Sequence, residues 1–378
     1  MKPTGSALLE FNPELNRLSK SKKLRDGLSA VVQIGDTLWV ANDETVSLER
    51  LSRRRADRED AHTYGEHARF ALNDFLRLPV PPPSDPEKRE QIEEADVEGL
   101  DYRDGYLWLV GSHSLKRKKA DSGESVKDNL EHLAKISSDG NRFLLARIPV
   151  MAEHGIYTLE KRLEHNGKKR TAAQLGGDDK SSDLTAALAT DKHLRPFLSI
   201  PGKDNGFDIE GLAVVGDRIF IGLRGPVLRG SAVILEVELK EDEDNAAKLK
   251  LKKIGRDDRP YRKHFLQLGG LGMRDLCVRG SDVLILAGPT MDLDGPVTVF
   301  RWLGGAEPEE ESLVFADRLP VVMQIPYGQG TNKGMDHAEG MTLFGGDARA
   351  LLVVYDSASE ERQKGANAVE ADIFDLPR

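Results

Sequence analysis

A short phrase recurs along the chain and constrains its fold more than any other feature. The full copies are Asp96-Val97-Glu98-Gly99-Leu100 and Asp208-Ile209-Glu210-Gly211-Leu212, and a shorter copy is Glu339-Gly340-Met341. Each copy leads through apolar residues to a tight turn and then to a second apolar run with β-strand character. Self-similarity that recurs along a chain is the mark of a repeat architecture.

Two degenerate copies complete a set of five hairpins. One covers residues 26–41 and turns at Gly35-Asp36, and the other covers residues 273–286 and turns at Gly280-Ser281-Asp282. When the copies are aligned on their turns, Leu28 and Arg274 occupy the position of the glutamate. We therefore expect five copies of one hairpin, of which three carry the glutamate.

The strands that follow the hairpins predict an all-β fold. Two further β-like runs follow most of the hairpins, and four short antiparallel strands per repeat describe one blade of a β-propeller. We predict a single domain over residues 1–378 with five blades, and a poorly marked sixth blade is the alternative. The predicted blades span residues 27–80, 96–150, 207–268, 270–326 and 335–378.

Two further segments need a place in this fold. The last blade lacks chain for a fourth strand, which residues 7–11 are expected to supply, so that the first and last blades are tied together. Residues 151–206 are longer than a normal blade connection, and we predict a helical insertion there. The positions with helical spacing are Ile156, Leu159, Leu163, Leu184, Ala187, Leu188 and Leu194, with Ser182 as an N-cap.

Composition excludes several functional classes. The chain has 54 Lys and Arg residues against 63 Asp and Glu residues, and both signs are mixed along it, so no basic surface for nucleic acid is expected. The single cysteine, Cys277, excludes an intrachain disulfide and a cysteine-based zinc cluster. No apolar run has the length of a membrane span, and residues 1–26 lack the apolar core of a signal peptide. We expect a cytoplasmic protein that binds neither nucleic acid nor membranes.

Propeller geometry brings the repeated glutamates together. The innermost strand of each blade lines the axis, and the start of that strand lies on the same face as the end of the next one. Glu98, Glu210, Glu339 and Arg274 are therefore expected around one mouth of the axial channel. Facing carboxylates raise each other's pKa unless a cation or a basic side chain neutralises them. The glutamates are thus either ligands of a divalent cation, calcium rather than magnesium, or structural acceptors of backbone N–H groups.

Arg274 and four other side chains are candidates for contacts with a ligand at the same mouth. Arg224 and Arg229 offer planar donors that suit a phosphate or a carboxylate. Arg274 is either the charge partner of the glutamates or a contact for a ligand. His113 and His337 lie at strand ends and are either general bases or metal ligands, or else polar residues of the rim. Together they predict a funnel that binds an anionic small molecule.

On these motifs the chain resembles known propellers. The Asp-x-Glu-Gly-Leu phrases look like those of the bacterial propeller family with a phytase-like or esterase-like domain, and more closely like those of a related bacterial family of unknown function. A looser similarity exists to the calcium-dependent lactonase propellers, in which a Glu before Gly at an inner strand is a metal ligand. Glu98, Glu210 and Glu339 match that element.

The residues and the resemblance together predict two kinds of function. The first is cation-assisted hydrolysis of an ester, lactone or phosphoester bond, with Glu98, Glu210 and Glu339 on the metal, His113 or His337 moving protons, and Arg224 on the substrate. The alternative is a non-catalytic propeller that presents a face to a protein partner or senses a ligand without turning it over.

Overall fold

Antiparallel hairpins form the frame of the computed structural model, which describes residues 1–54, 62–83, 93–153, 155–165, 167–291, 293–346 and 348–377. The chain begins with strand β1 (Gly5–Glu10) and the one-turn helix α1 (Pro13–Asn16). The first repeat follows and ends in the one-turn helix α2 (Leu72–Phe75). Its four strands lie side by side in chain order: β2 (Leu28–Ile34), β3 (Thr37–Asn42), β4 (Ser47–Arg53) and β5 (His62–Ala71).

The second repeat contains two long excursions. Its four paired strands are β6 (Val97–Arg103), β7 (Tyr106–Gly111), β10 (Leu145–Glu153) and β14 (Ala173–Leu175). The first excursion contains β8 (Lys116–Arg117), helix α3 (Val126–Ala134) and β9 (Ile136–Ser137). The second contains β11 (Ile156–Leu159), β12 (Arg162–His165) and β13 (Lys168–Thr171), and helix α4 (Asp183–Leu188) follows β14.

The last three repeats follow the same plan. The third has β15 (Asp208–Val215), β16 (Arg218–Gly225), β17 (Ser231–Glu241), β18 (Lys248–Leu251) and β19 (Arg262–Gln267). The fourth has β20 (Gly272–Arg279), β21 (Asp282–Gly288), β22 (Val297–Trp302), β23 (Ser312–Val314) and β24 (Val321–Ile325). The fifth has β25 (His337–Phe344), β26 (Ala350–Asp356), β27 (Gln363–Lys364) and β28 (Ala368–Asp375).

One-turn 3-10 helices occupy parts of the connections between these strands. They span Leu24–Asp26, Gly140–Arg142, Arg195–Phe197, Gly202–Asp204, Arg256–Asp258, Ala316–Arg318 and Gly330–Asn332. None of the helices in the described part of the chain has the length and apolar character that crossing a membrane requires.

Strand β1 joins the two ends of the fold. It pairs antiparallel with β28, from Gly5 opposite Ile373 to Glu10 opposite Ala368, and its other edge pairs with β5 of the first repeat. This is the pairing expected of residues 7–11. Leu9 is fully buried within a cluster that contains residues of both the first and the last repeat, so apolar packing supports the hydrogen-bonded closure.

Apolar clusters fill the spaces between neighbouring repeats. One cluster joins Trp39 of the first repeat to Leu100 of the second, and others join the second to the third, the third to the fourth, and the fourth to the fifth. The last cluster joins Val31 to Leu352 and so returns to the first repeat. The repeats therefore pack in a closed cycle, which gives a propeller-like all-β fold.

Side-chain hydrogen bonds link the innermost strands around the same cycle. Their partners are Ser29 Oγ and Val97 O, Asp101 Oδ2 and Val214 N, Arg274 Nη1 and Glu210 Oε2, Asp275 Oδ2 and Met341 N, and Thr342 Oγ1 and Gln33 N. Gly99 shows how closely these strands approach, because a Cβ added there would lie 2.6 Å from the Cβ of Leu212. The phrase thus requires glycine for packing around the axis.

The prediction of a helix in the first half of residues 151–206 is wrong. Ile156 and Leu159 lie in β11, which pairs with β10, and Leu163 lies in β12. Pairing with an existing strand edge overrides a helical spacing that spans only a few residues. The second half does contain the predicted helix: α4 begins after Ser182, whose side chain takes part in a capping box.

Candidate functional site

A β-bulge occurs at the same place in all five hairpins. In the second repeat, for example, the register passes from Val97 opposite Gly111 to Gly99 opposite Val110 and skips Glu98. A bulge leaves one residue unpaired and redirects its side chain. The five skipped residues are Ser29, Glu98, Glu210, Arg274 and Glu339. The bulge therefore redirects the side chain at the same position of each hairpin.

The first hairpin corrects the predicted alignment by one residue. The prediction placed Leu28 at the glutamate position, whereas the bulge falls on Ser29, and Leu28 is buried in the core. A shift of one residue in a strand moves a side chain to the opposite face, so the error exchanged a core residue for one at the axis. Arg274 was aligned correctly.

The glutamates meet at a cavity of about 250 Å³ at one end of the axis, here called the axial cavity. Residues from the first, second, third and fifth repeats line it. Its acidic lining residues are Asp43, Asp96, Glu98, Asp208, Glu210, Glu339 and Asp356, and its basic lining residues are Lys116, Arg117, Arg142, Lys203 and Arg224. The structure thus brings together the three glutamates and Arg224, as predicted from the repeat.

Two arginines form a ladder of ion pairs on one side of this cavity. Arg224 contacts Asp208, and its Nη1 lies 2.5 Å from Glu210 Oε1. Arg274 Nη1 lies 3.0 Å from Glu210 Oε2 and 2.9 Å from Glu339 Oε1. Both oxygens of Glu210 therefore have an arginine partner. Of the two roles predicted for Arg274, the structure shows its pairing with the glutamates, and its role as a ligand contact stays a prediction.

Glu98 and Asp43 have no cationic partner within ion-pair distance among the residues that the structure describes, in contrast to Glu210. Burial raises the pKa of the Glu98 carboxyl well above its ordinary range, and the neighbouring carboxylates raise it further. Burial and the charge of Asp356 do the same to the pKa of Asp43. The unpaired carboxyl groups therefore hold their protons to higher pH than ordinary side chains do.

The charge of Glu339 is compensated less fully than that of Glu210 and more fully than that of Glu98. Burial raises its pKa well above the ordinary range, and Asp356 adds to this effect, whereas Arg274 opposes it. Among the described residues, only its Oε1 has an arginine partner. The axial cavity thus has a neutralised side, with the arginine ladder, and a side where negative charge is not compensated.

Basic residues at the rim come from segments outside the repeated phrase. Arg142 Nη1 lies 2.8 Å from Asp96. Lys116 and Arg117 belong to β8 in the first excursion, and Lys203 belongs to a one-turn helix before β15. No sequence pattern indicated these four residues, because they lie in long connections that only the three-dimensional fold brings to the axis.

The two histidines lie in different surroundings. His337 is at the mouth, with Nε2 3.0 Å from Asp294 Oδ1 and Nδ1 4.0 Å from Asp356 Oδ2. His113 is buried, its Nδ1 lies 2.9 Å from the carbonyl of Gly111, and it does not line the axial cavity. Burial lowers the pKa of His113 to about 4. The structure therefore brings His337, and not His113, to the site.

Arg229 also lies away from the site. It is exposed in the turn between β16 and β17, and it is not among the residues that line the axial cavity. A left-handed backbone conformation, with φ of 51°, places it in this turn.

A second cavity of about 360 Å³ adjoins the first and is here called the side chamber. The two cavities share Lys203, Arg224, Glu339 and Asp356. His337 and Arg274 line the side chamber, so the predicted site residues extend over both cavities.

The predicted cation can be tested against the available oxygen atoms. Within the described ranges no group of three or more His, Cys, Asp or Glu residues has an arrangement that could hold a metal ion. Arginine already contacts Glu210 and Glu339, whereas Glu98 and Asp43 are open. The predicted ligand set of Glu98, Glu210 and Glu339 thus fits a cation poorly.

The fold and site define a propeller-like protein with a charged cavity on its axis. The chain belongs to the family described as "Protein of unknown function (DUF3616)", whose model matches residues 27–372. This agrees with the predicted relation to a family of unknown function. The similarity to phytase-like, esterase-like and lactonase propellers stays a prediction.

Comparison with known proteins adds only structural similarities at low sequence identity. No curated protein matches the chain. Among solved structures, glutaminyl cyclase from Myxococcus xanthus is 9% identical, with all of both chains covered and a TM-score of 0.37. The PQQ-bound aldose sugar dehydrogenase from Streptomyces coelicolor is also 9% identical, with 99% of this chain and 100% of that chain covered and a TM-score of 0.33.

Proposed function

We propose that the chain is a five-bladed β-propeller whose axial cavity binds a small anionic molecule and hydrolyses an ester, lactone or phosphoester bond in it. The observation that supports this most directly is the state of Glu98. Its carboxyl group faces the cavity from a bulge, lacks a cationic partner in the described part of the chain, and has a raised pKa. A carboxylic acid with a raised pKa keeps its proton to higher pH than an ordinary side chain does, and it can donate that proton to a leaving group.

In this proposal Glu98 is the general acid and His337 is the general base. With Nε2 of His337 donating to Asp294, Nδ1 is the basic nitrogen. Nδ1 takes a proton from water, and the water oxygen adds to the carbonyl carbon or to phosphorus. The bond to the leaving oxygen then breaks, and Glu98 gives that oxygen its proton.

The basic residues have two roles in this proposal. Lys116, Arg117 and Lys203 at the rim attract the anionic group of the substrate. Arg224 lines both cavities and Arg274 lines the side chamber, and in this proposal they stabilise the negative charge that develops on the reacting oxygen. Because both arginines are ion-paired with carboxylates, they are already oriented before the substrate binds.

A divalent cation gives a second form of the proposal. Glu98 and Asp43 would hold it, since neither has a cationic partner among the described residues, and calcium suits such oxygen ligands. A bound cation would polarise the reacting oxygen. It would also keep Glu98 ionised, so Glu98 cannot be a cation ligand and the general acid at once.

The test measures hydrolysis of chromogenic esters, lactones and phosphoesters by the purified protein, with chelator and with added Ca²⁺ or Mg²⁺. We expect activity in chelator, and we expect Glu98→Gln to lower kcat about 100-fold or more. Glu310→Gln, at an exposed ion pair remote from the axis, is the matched control. Activity that requires a cation would favour the second form, and full activity of Glu98→Gln would refute both. Ligand binding without turnover would favour a sensing module.

A further inference from the structure

The side chamber has an apolar wall that the hydrolysis described above does not use. Three large apolar side chains line it while remaining exposed: Met291 is 39% exposed, Leu293 is 57% exposed and Met335 is 42% exposed. Single exposed apolar residues are ordinary on protein surfaces. Three that line one chamber form a patch, and such patches mark binding sites.

The wall continues towards the interior of the chamber. Pro289, Val297 and Tyr327 also line it, and Val297 is 5% exposed and belongs to a core cluster. The outer apolar side chains are thus continuous with packed residues beneath them. A ligand on this wall would remove apolar surface from water on both sides, which is favourable in proportion to the area buried.

The chamber meets the axial cavity at charged residues. Glu339, Asp356, Arg224 and Lys203 line both spaces. Lys203 is exposed, lines both cavities and has no ion pair among the described residues, so it can contact an anion. One continuous space therefore joins a charged cavity on the axis to a side chamber in which an apolar wall lies beside charged residues, among them Asp294 and His337.

We propose that the ligand is an amphiphile, with an anionic head group in the axial cavity and an alkyl or aryl group on the wall of Met291, Leu293 and Met335. This inference rests on the proposed function for the position of the reacting bond, which would lie at the junction near His337 and Glu339. It specifies the substrate class as esters or phosphoesters with an apolar substituent next to the bond that is cleaved.

Binding of n-alkyl phosphonates, from methyl to octyl, tests the inference by calorimetry. These compounds contain a phosphonate head group and no bond for the protein to hydrolyse, so binding is measured apart from turnover. We expect each added CH₂ to tighten binding about three- to four-fold until the wall is covered. Leu293→Ser and Met335→Ser should reduce the octyl-to-methyl affinity ratio at least ten-fold. Both residues are exposed, so neither change removes a core contact.

The controls separate this inference from its alternatives. Leu303→Ser changes a leucine that is 52% exposed and does not line the chamber, and it should leave the octyl-to-methyl ratio unchanged. Equal affinity for all phosphonates in the wild type would overturn the inference. So would a change in oligomeric state in Leu293→Ser without a change in that ratio, because the patch would then be an interface between copies. A clear chain-length dependence without hydrolysis of any ester would refute the proposed function alone.

Discussion

The raised pKa of Glu98 predicts how the free energy of unfolding changes with pH. The folded protein holds the proton of Glu98 more tightly than the unfolded chain does, because its pKa is raised above the ordinary 4.5. Stability is therefore lost as pH rises from about 4.5 towards the raised pKa, by about 1.4 kcal/mol for each unit of the rise. Glu98→Gln mimics the protonated form at every pH. In chelator we expect the variant to match the wild type near pH 4 and to be more stable at pH 8 by at least about 1 kcal/mol.

Urea unfolding of both proteins across this pH range measures the difference. Glu310→Gln is again the control, since its carboxyl group is largely exposed, and it should follow the wild type at every pH. A Glu98→Gln protein that is less stable than the wild type at pH 8 would contradict a protonated Glu98 and would indicate a stabilising partner for the carboxylate.

At the residue scale the sequence predicted which side chains converge, but only in part how their charges are balanced. The repeated phrase identified Glu98, Glu210 and Glu339, because the same position in each repeat lies at the same place relative to the propeller axis. It offered Arg274 as a charge partner of the glutamates, but it did not show that Arg224 and Arg274 contact Glu210 and Glu339 while Glu98 has no cationic partner among the described residues. Pairing of this kind depends on side-chain reach across different strands, and a single strand pattern does not contain that information.

At the element scale the two longer helices differ in what they bury. Helix α3 has no buried residue, and Val126, Leu130 and Leu133 are exposed on it, whereas α4 buries Leu184 and Leu188 completely. We expect Leu130→Ala to change the free energy of unfolding by less than about 0.5 kcal/mol. Leu188→Ala should cost about 2–5 kcal/mol, because it removes apolar contacts and leaves a cavity.

Denaturant unfolding of the two leucine variants provides this comparison within one protein. A loss of more than about 1 kcal/mol in Leu130→Ala would mean that α3 packs against another part of the fold in solution. Helix α4 was predictable because the cap Ser182 and the apolar spacing agree. The segment with Ile156 and Leu163 was not, because its strands depend on the edge of β10, to which β11 pairs.

At the scale of the whole molecule, closure was the most predictable property and the excursions were the least. Closure follows from the repeat, since equivalent hairpins that pack side by side return to their start. The excursion between β7 and β10 and the connection before β15 have no counterpart in the other repeats. They nevertheless bring Lys116, Arg117 and Lys203 to the axial cavity, so the part of the site with most positive charge at the rim was invisible in the repeated pattern.

Closure by β1 gives the last prediction. Deleting residues 1–11 leaves β28 with an open edge and removes the buried Leu9. Truncation of a buried leucine to alanine alone lowers the free energy of unfolding by about 2–5 kcal/mol. We expect the deletion to lower Tm by more than 5 °C, measured by circular dichroism. A peptide of residues 1–12 added in trans should raise Tm again as its concentration increases, because it binds only the folded state. The same peptide with Leu9→Asp should not, since it would place a charge in the core. An unchanged Tm after the deletion would show that the repeats close without β1.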